Sequence, residues 1–246
     1  MGYEPAAQVQ ARYQVRLSRA SEDLVRAERL RAEIFRGDAK ARDLDAIDPH
    51  CLHGLIEQVS DGALVGCFRM LPLKNGAQID MSYSAQYYDL SKFYEYSDPL
   101  LELGRFCVAA HLNDPDILRV ALGAVTRFVD DNAIACLFGC SSFAGTDPAP
   151  YWPGFAHLSA HHGAPERLAP GRNAQDIIDL AQGGPACPKE AVATLPGLLR
   201  SYLMMGGWVS DHAVVDRDLG TLHVFTGVEI AAIPPARKRV LRALAA

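Results

Sequence analysis

The sequence has no C-x-x-C pair, although its 246 residues include Cys51, Cys67, Cys107, Cys136, Cys140 and Cys187. Most of these lie inside apolar runs, so they read as small buried hydrophobes of a reducing compartment. Cys136 and Cys140 are too far apart along one strand for easy chelation, and His161 and His162 are loop neighbours, so no metal site is expected. No run approaches the roughly 20 apolar residues of a membrane span. The opening "MGYEPAAQVQARYQ" lacks an apolar signal core, and its Met-Gly start lacks the Ser or Thr of a myristoylation motif. There is no GxGxxG after a strand and no GxxxxGK[ST] loop, which leaves nucleotide cofactors unsupported. No G-x-S-x-G elbow surrounds Ser141 or Ser142, so a hydrolase triad is unsupported too. Positive charge is also short: the net charge of −5 argues against general nucleic-acid binding.

What is present suits a sizeable core, with 49% hydrophobic and 22% charged residues. "YQVRLS" alternates as a strand. Ser21 reads as the cap of a helix carrying Leu24, Ala27, Leu30 and Ile34 on one face and ending at Gly37. "LHGLIEQ" and "ALVGCFRMLPL" are strands around an Asp-Gly turn. The stretch "YSAQYYDLSKFYEY", Tyr83 to Tyr96, is aromatic and irregular, and suggests the lining of an acyl groove. "DPDILRVALGAVTRFVDDNA" is a helix opened by Pro115, and "IACLFGCSSF" is a strand. "AGTDPAPYWPG" reads as loop, as does most of 165–191, apart from a short helix. "LPGLLRSYLMMGG" is a helix, two strands follow, and "ARKRVLRALAA" closes the chain as a helix. There Arg237, Lys238, Arg239 and Arg242 suggest contact with an acidic protein or anionic lipid. The interleaving predicts an α/β (α+β) fold with a mixed sheet in a single domain over 1–246.

The most informative stretch is "LLELGRFCVAA". It reads as a buried strand, yet it holds Glu102 and Arg105, and burying unpaired charge is costly. Regular alternation places residues three apart on opposite faces. The two share a face only if a bulge intervenes, and Gly104 is the expected place for one. A bulge also splays the neighbouring strand, leaving backbone amides free for a ligand such as pantetheine. The alternative is a buried structural ion pair. Arg69, in "CFRML", is a second charge inside an apparent core strand.

"LELGRFCV" resembles the ELGRSCV strand of the ornithine-lipid N-acyltransferases, relatives of the GNAT fold and of the acyl-homoserine lactone synthases. The likeness extends to "LRAEIF", "HCLHGLI", "LVGCFRMLP", "YSAQYYDLSKF", "FGCSSFAGTDP" and "LPGLLRSYLMMGGWV". It implies a GNAT-like fold: a central twisted mixed sheet flanked by helices, a bulged strand at 100–108, a core over 10–160, and an extension over 161–246 that completes the sheet and carries the basic helix. It implies transfer of a 3-hydroxyacyl chain from acyl carrier protein to the α-amine of an amino acid, ornithine or alternatively glutamine. Glu102, Arg105 and Asp48 are the catalytic residues so implied, with Glu102 as base. Arg31, Phe35, Asp45, Arg69 and Ser142 are the substrate-binding ones, with Asp45 and Asp48 also candidates for holding a cationic side chain. No cofactor beyond the carrier's phosphopantetheine and no metal is implied. The expected place is the cytoplasm, with peripheral contact at the inner membrane face. An acyl-homoserine lactone synthase and a non-catalytic carrier-binding module are the rival readings. Two departures stand out. Leu52 replaces the family's usual Asp, and "HLNDPDILR" replaces a basic stretch, so Asp114 and Asp116 would oppose a phosphate at the following helix.

Overall fold

The computed structural model describes residues 11–38, 40–184 and 188–245; Cys187 and the segment 1–10 lie outside them. The first half of the chain gives β1 (Tyr13–Ser18), α1 (Ser21–Arg36), β2 (Leu52–Gln58), β3 (Leu64–Leu73), β4 (Tyr88–Asp89), β5 (Leu100–Val108), α2 (Pro115–Asp131) and β6 (Cys136–Ala144). The second half gives α3 (Trp152–His161), β7 (Gly171–Arg172), β8 (Ile177–Asp179), α4 (Pro188–Thr194), α5 (Gly197–Leu203), β9 (Trp208–Asp216), β10 (Thr221–Glu229) and α6 (Pro235–Ala245).

Eight strands form one mixed sheet in the order β1-β2-β3-β5-β6-β10-β9-β8. Only β5 and β6 run parallel, as a strand–helix–strand crossover through α2 requires. Alternation along the strands separates two cores. Phe68, Met70, Leu101 and Leu103 pack with Ile117, Ala121 and Val125 of α2, and with Leu241 of α6. On the opposite face, Leu71, Leu73, Leu100, Phe138 and Phe225 pack under the segment between β3 and β5. A further core joins α3 and α5 to β9 and β10 through Phe155, Leu158, Leu199, Val209 and Leu222.

Helix ends follow their sequence signals with one exception. Gly37 takes the left-handed conformation that ends α1. Asp114 caps α2 by accepting the Asp116 N–H, with Pro115 next to it. Ser21, however, is the first helical residue, and Ala20 occupies the cap position. The larger correction is α3, which begins inside a stretch whose Pro and Gly content suggests loop. Pro153 sits in the first turn, where its missing N–H costs no hydrogen bond, and Phe155 and Leu158 bury the helix. The aromatic stretch is corrected as well. Tyr88 and Phe93 are fully buried in the second core, and Tyr94 is exposed and bonded to Asp80. Tyr88 and Phe93 build a core, and of the stretch only Tyr83 lines the cavity described below, among charged groups.

At the C-terminus, Arg242 pairs with Asp130 of α2 at 2.8 Å and Leu241 is buried, so α6 is docked on the sheet's outer layer. Among the described residues no helix is long and apolar enough to cross a membrane.

The parallel pair is short. β5 and β6 share register only at Leu100–Cys136, Leu101–Leu137 and Glu102–Phe138. Beyond it Gly139 crosses the Leu103 carbonyl so closely that a Cβ would stand 2.2 Å from its oxygen. From that point the strands diverge. Gly139→Ala is therefore expected to lower unfolding free energy by about 1–3 kcal/mol through overpacking. Gly104→Ala meets nothing within 4 Å and should cost less than about 0.5 kcal/mol. Urea denaturation of the two variants checks the contrast, and equal losses would contradict it.

Candidate active site

Where β5 leaves β6, a cavity of about 270 Å³ passes between them. Its two ends differ in chemistry. On the face under the Tyr83 segment stand Arg69, Tyr83, Glu102, Arg105, Asp216 and His223. On the opposite side the lining is Leu103, Phe106, Pro196, Leu198, Leu199 and Tyr202.

Glu102 and Arg105 do share a face, because β5 bulges. Arg69 lies opposite Gly104 and Cys67 opposite Cys107, so three steps on β5 match two on β3. The irregularity falls one residue beyond the expected place. Gly104 keeps an ordinary backbone, and Arg105 itself takes the left-handed region with φ 52°. A left-handed non-glycine residue costs of order 1 kcal/mol or more and needs strong contacts to hold it. Arg105 has them. Its Nε lies 3.2 Å from Asp43, its Nη2 lies 3.2 Å from Asp45, and its guanidinium sits 4.7 Å from the Tyr83 ring centre.

Glu102 and Arg105 are not an ion pair. The Glu102 carboxylate accepts the backbone N–H of Tyr83 at 2.9 Å and that of Ser84 at 2.8 Å, and the Ser84 hydroxyl at 2.6 Å. It thereby anchors the 82–84 turn while lining the cavity.

The loop after α1 brings three carboxylates under the sheet. Arg31 of α1 grips Asp48 with two hydrogen bonds, at 2.8 and 2.7 Å, and its Nε lies 3.2 Å from Asp43. Arg69 of β3 donates to Asp45 at 2.6 Å and to Asp48 at 3.0 Å. Arg36 adds a bond to Asp43 at 2.9 Å. Arg31 is 1% exposed and Asp43 2%, so these charges are desolvated and their pairing is obligatory. Burial alone would raise the Asp48 carboxyl; the hydrogen bond from Arg31 and the charges of Arg69 and Arg31 outweigh it and hold it well below the usual carboxylate range. Burial would likewise weaken the Arg69 charge, yet Asp45 and Asp48 keep that guanidinium firmly protonated.

Of the residues predicted from sequence, Phe35, Arg69, Glu102, Arg105 and Ser142 line the cavity. Arg31, Asp45 and Asp48 stand behind its wall. Both Asp48 oxygens are taken by Arg31, Arg69 and the Asp45 N–H, which leaves none for a substrate cation. Asp45 is similarly occupied by Arg69, Arg105 and the Ile47 N–H. Asp43, Asp216 and His223 were not singled out by sequence. Asp43 belongs to the run "DLDAID", whose spacing is the only signal it offers. Asp216 and His223 flank a hairpin and look like ordinary turn and strand residues. Burial pushes the His223 imidazole down to about 4, so this ring is neutral near pH 7.

At the start of α2, Asp114 and Asp116 are paired with Arg12 at 2.9 Å. The helix N-terminus is thus capped by acid and offers no open anion site. No group of three or more His, Cys, Asp or Glu arranged to hold a metal occurs among the described residues.

Residues 26–122 match the family model described as an acetyltransferase (GNAT) domain. The L-ornithine N(alpha)-acyltransferase of Rhodobacter capsulatus is 29% identical over 227 residues, covering 86% of this chain and 88% of that protein. The enzyme of the same name from Brucella abortus is 28% identical over 236 residues, covering 86% and 82%. Two solved structures share the fold. One is FeeM, an N-acyl amino acid synthase from uncultured soil microbes, with TM-score 0.52 and 12% identity over 90% of this chain and 94% of that one. The other is BjaI, a CoA-dependent acyl-homoserine lactone synthase with MTA, with TM-score 0.52 and 14% identity over 94% and 88%. In its matched domain, and along most of its length in its relatives, the chain is similar to GNAT-type acyltransferases.

Proposed function

We propose that the protein transfers a long 3-hydroxyacyl chain from acyl carrier protein to the α-amine of ornithine. The observation that carries this reading is the cavity between β5 and β6, charged at one end and apolar at the other. The relatives' activity, L-ornithine N(alpha)-acyltransferase by name, supports the acceptor.

The facing backbone groups of β5 and β6 beyond Glu102 and Phe138 lack the ladder partners that a paired sheet provides. In this reading the amide-bearing pantetheine arm lies along them, as an added strand would. Its thioester reaches the gap, its acyl chain turns toward Leu198, Leu199 and Tyr202, and the acceptor enters from the charged side. The amine nitrogen attacks the thioester carbonyl, a C–N bond forms, the tetrahedral intermediate collapses, and the C–S bond breaks. One proton must leave the α-ammonium before attack and another must leave the nitrogen as the amide forms. Glu102 accepts the first, directly or through water, at Oε2, which carries one hydrogen bond where Oε1 carries two, and the leaving thiolate takes up the second. Arg31, Asp45 and Asp48 act as positioning residues, fixing the bulge from behind. At the acid-capped start of α2 the carrier's pantetheine phosphate would meet Asp114 and Asp116, as a coenzyme A diphosphate would, so in this reading the phosphate lies away from that helix end.

Two outcomes follow. Glu102→Gln should lower kcat by about 10²–10⁴-fold, with little change in KM for the donor. An activity within a few-fold of wild type would reduce Glu102 to an anchor of the 82–84 turn. Donor preference provides the second measurement. With about 0.8 kcal/mol per buried CH₂, kcat/KM should climb steeply from acetyl to long acyl carriers, and Leu198→Ala should blunt the climb. Equal rates with acetyl and long-chain donors would defeat the assignment of the apolar end.

A further inference from the structure

Asp216 lies at the charged end of the cavity and is 3% exposed. Its Oδ2 accepts the Tyr83 hydroxyl at 3.1 Å, and its Oδ1 accepts the Leu219 N–H at 3.0 Å. No Arg or Lys within ion-pair distance neutralises it among the described residues, in contrast to Asp43, Asp45 and Asp48. A buried carboxylate served only by neutral donors has lone pairs and net charge left for a cation.

Tyr83 relates this carboxylate to Glu102. Its backbone N–H is bonded to Glu102 and its hydroxyl to Asp216, so the two carboxylates stand at opposite ends of one tyrosine. From amide nitrogen to phenol oxygen a tyrosine measures about 7 Å, and an extended α-amino acid with three methylenes before a terminal amine measures about 6 Å between its nitrogens. An acceptor with its α-amine at Glu102 thus carries its distal ammonium toward Asp216. Neighbouring His223 lines the same wall and is neutral near pH 7, so it does not compete as a cation.

We propose that Asp216 is the specificity residue for the acceptor: it binds the distal ammonium and selects α,ω-diamino acids over neutral amino acids. The inference rests on the N-acyltransferase reading above and goes beyond it by naming the group that chooses the substrate. It also moves cation recognition away from Asp45 and Asp48, whose oxygens are occupied.

The test uses the purified full-length protein, a long-chain acyl carrier donor, and four acceptors: ornithine, 2,4-diaminobutyrate, norvaline and glutamine. Norvaline is ornithine without its terminal amine. Wild type should favour ornithine over norvaline and glutamine. Asp216→Asn keeps the turn bond to Leu219 and can still meet Tyr83, yet it removes the charge. It should collapse the ornithine-to-norvaline ratio of kcat/KM by about tenfold or more, chiefly through KM for ornithine. Asp216→Glu brings the carboxylate one methylene further in and should shift preference toward the shorter 2,4-diaminobutyrate. The inference is overturned if wild type acylates norvaline as well as ornithine. It is equally overturned if Asp216→Asn lowers all acceptors alike, or if Asp216→Glu leaves the length preference unchanged. A wild-type protein that acylates no amino acid would overturn the functional reading, and this inference with it.

Discussion

Three arginines from three separate elements converge on three aspartates of one loop, and the bulged strand β5 depends on that convergence. Arg31 comes from α1, Arg69 from β3 and Arg105 from the bulge of β5. Each is desolvated, so none could stay where it is without its carboxylates. Removing one partner from such a set typically costs about 3–5 kcal/mol, because the remaining charge is stranded. The value of the network is therefore geometric. It fixes the loop before β2 beneath the sheet and holds Arg105 in a backbone conformation that an isolated arginine would leave.

That constraint reaches the cavity through β5. Ladder pairing with β6 ends at Glu102, the close crossing of Gly139 over Leu103 turns the strands apart, and the bulge aims Arg105 at Tyr83. Tyr83 then connects the parts. Its amide is held by Glu102, its ring lies beside Arg105, and its hydroxyl meets Asp216. Charged groups end up on one side of the gap and the side chains of α5 on the other. One sheet defect thus separates a polar chamber from an apolar one.

Much of this was legible in the sequence, and for physical reasons. Two charges three apart in an apolar strand share a face only through a bulge, and Glu102 and Arg105 do share a face. The bulge residue was misplaced because glycine is the default for positive φ; here side-chain contacts outweigh that preference and put Arg105 there instead. Asp43 was missed because a buried loop carboxylate has no periodicity to distinguish it from solvated neighbours such as Asp38. Asp216 was missed because an aspartate before a hairpin turn is locally unremarked, and only tertiary structure brings Tyr83 to it. Most of the aromatic run was misread, Tyr83 excepted, because composition alone does not tell a ring that packs against Phe138 from one that lines a cavity. The helix Trp152–His161 was hidden by Pro153 and Gly154, whose breaking tendency matters little in a first turn stabilised by burial.

The central claim is that the gap between β5 and β6 is where thioester and amine meet, with acyl chain and amino acid on opposite sides of the sheet. A crystal structure with a stable bisubstrate analogue, ornithine joined through its α-nitrogen to an acyl-pantetheine mimic, tests it most directly. The account predicts the pantetheine arm between the two strands, the α-nitrogen within hydrogen-bond reach of Glu102, and the acyl chain against Leu198, Leu199 and Tyr202. An analogue bound elsewhere, or one with its acyl chain and its amino-acid head on the same face of the sheet, would contradict it.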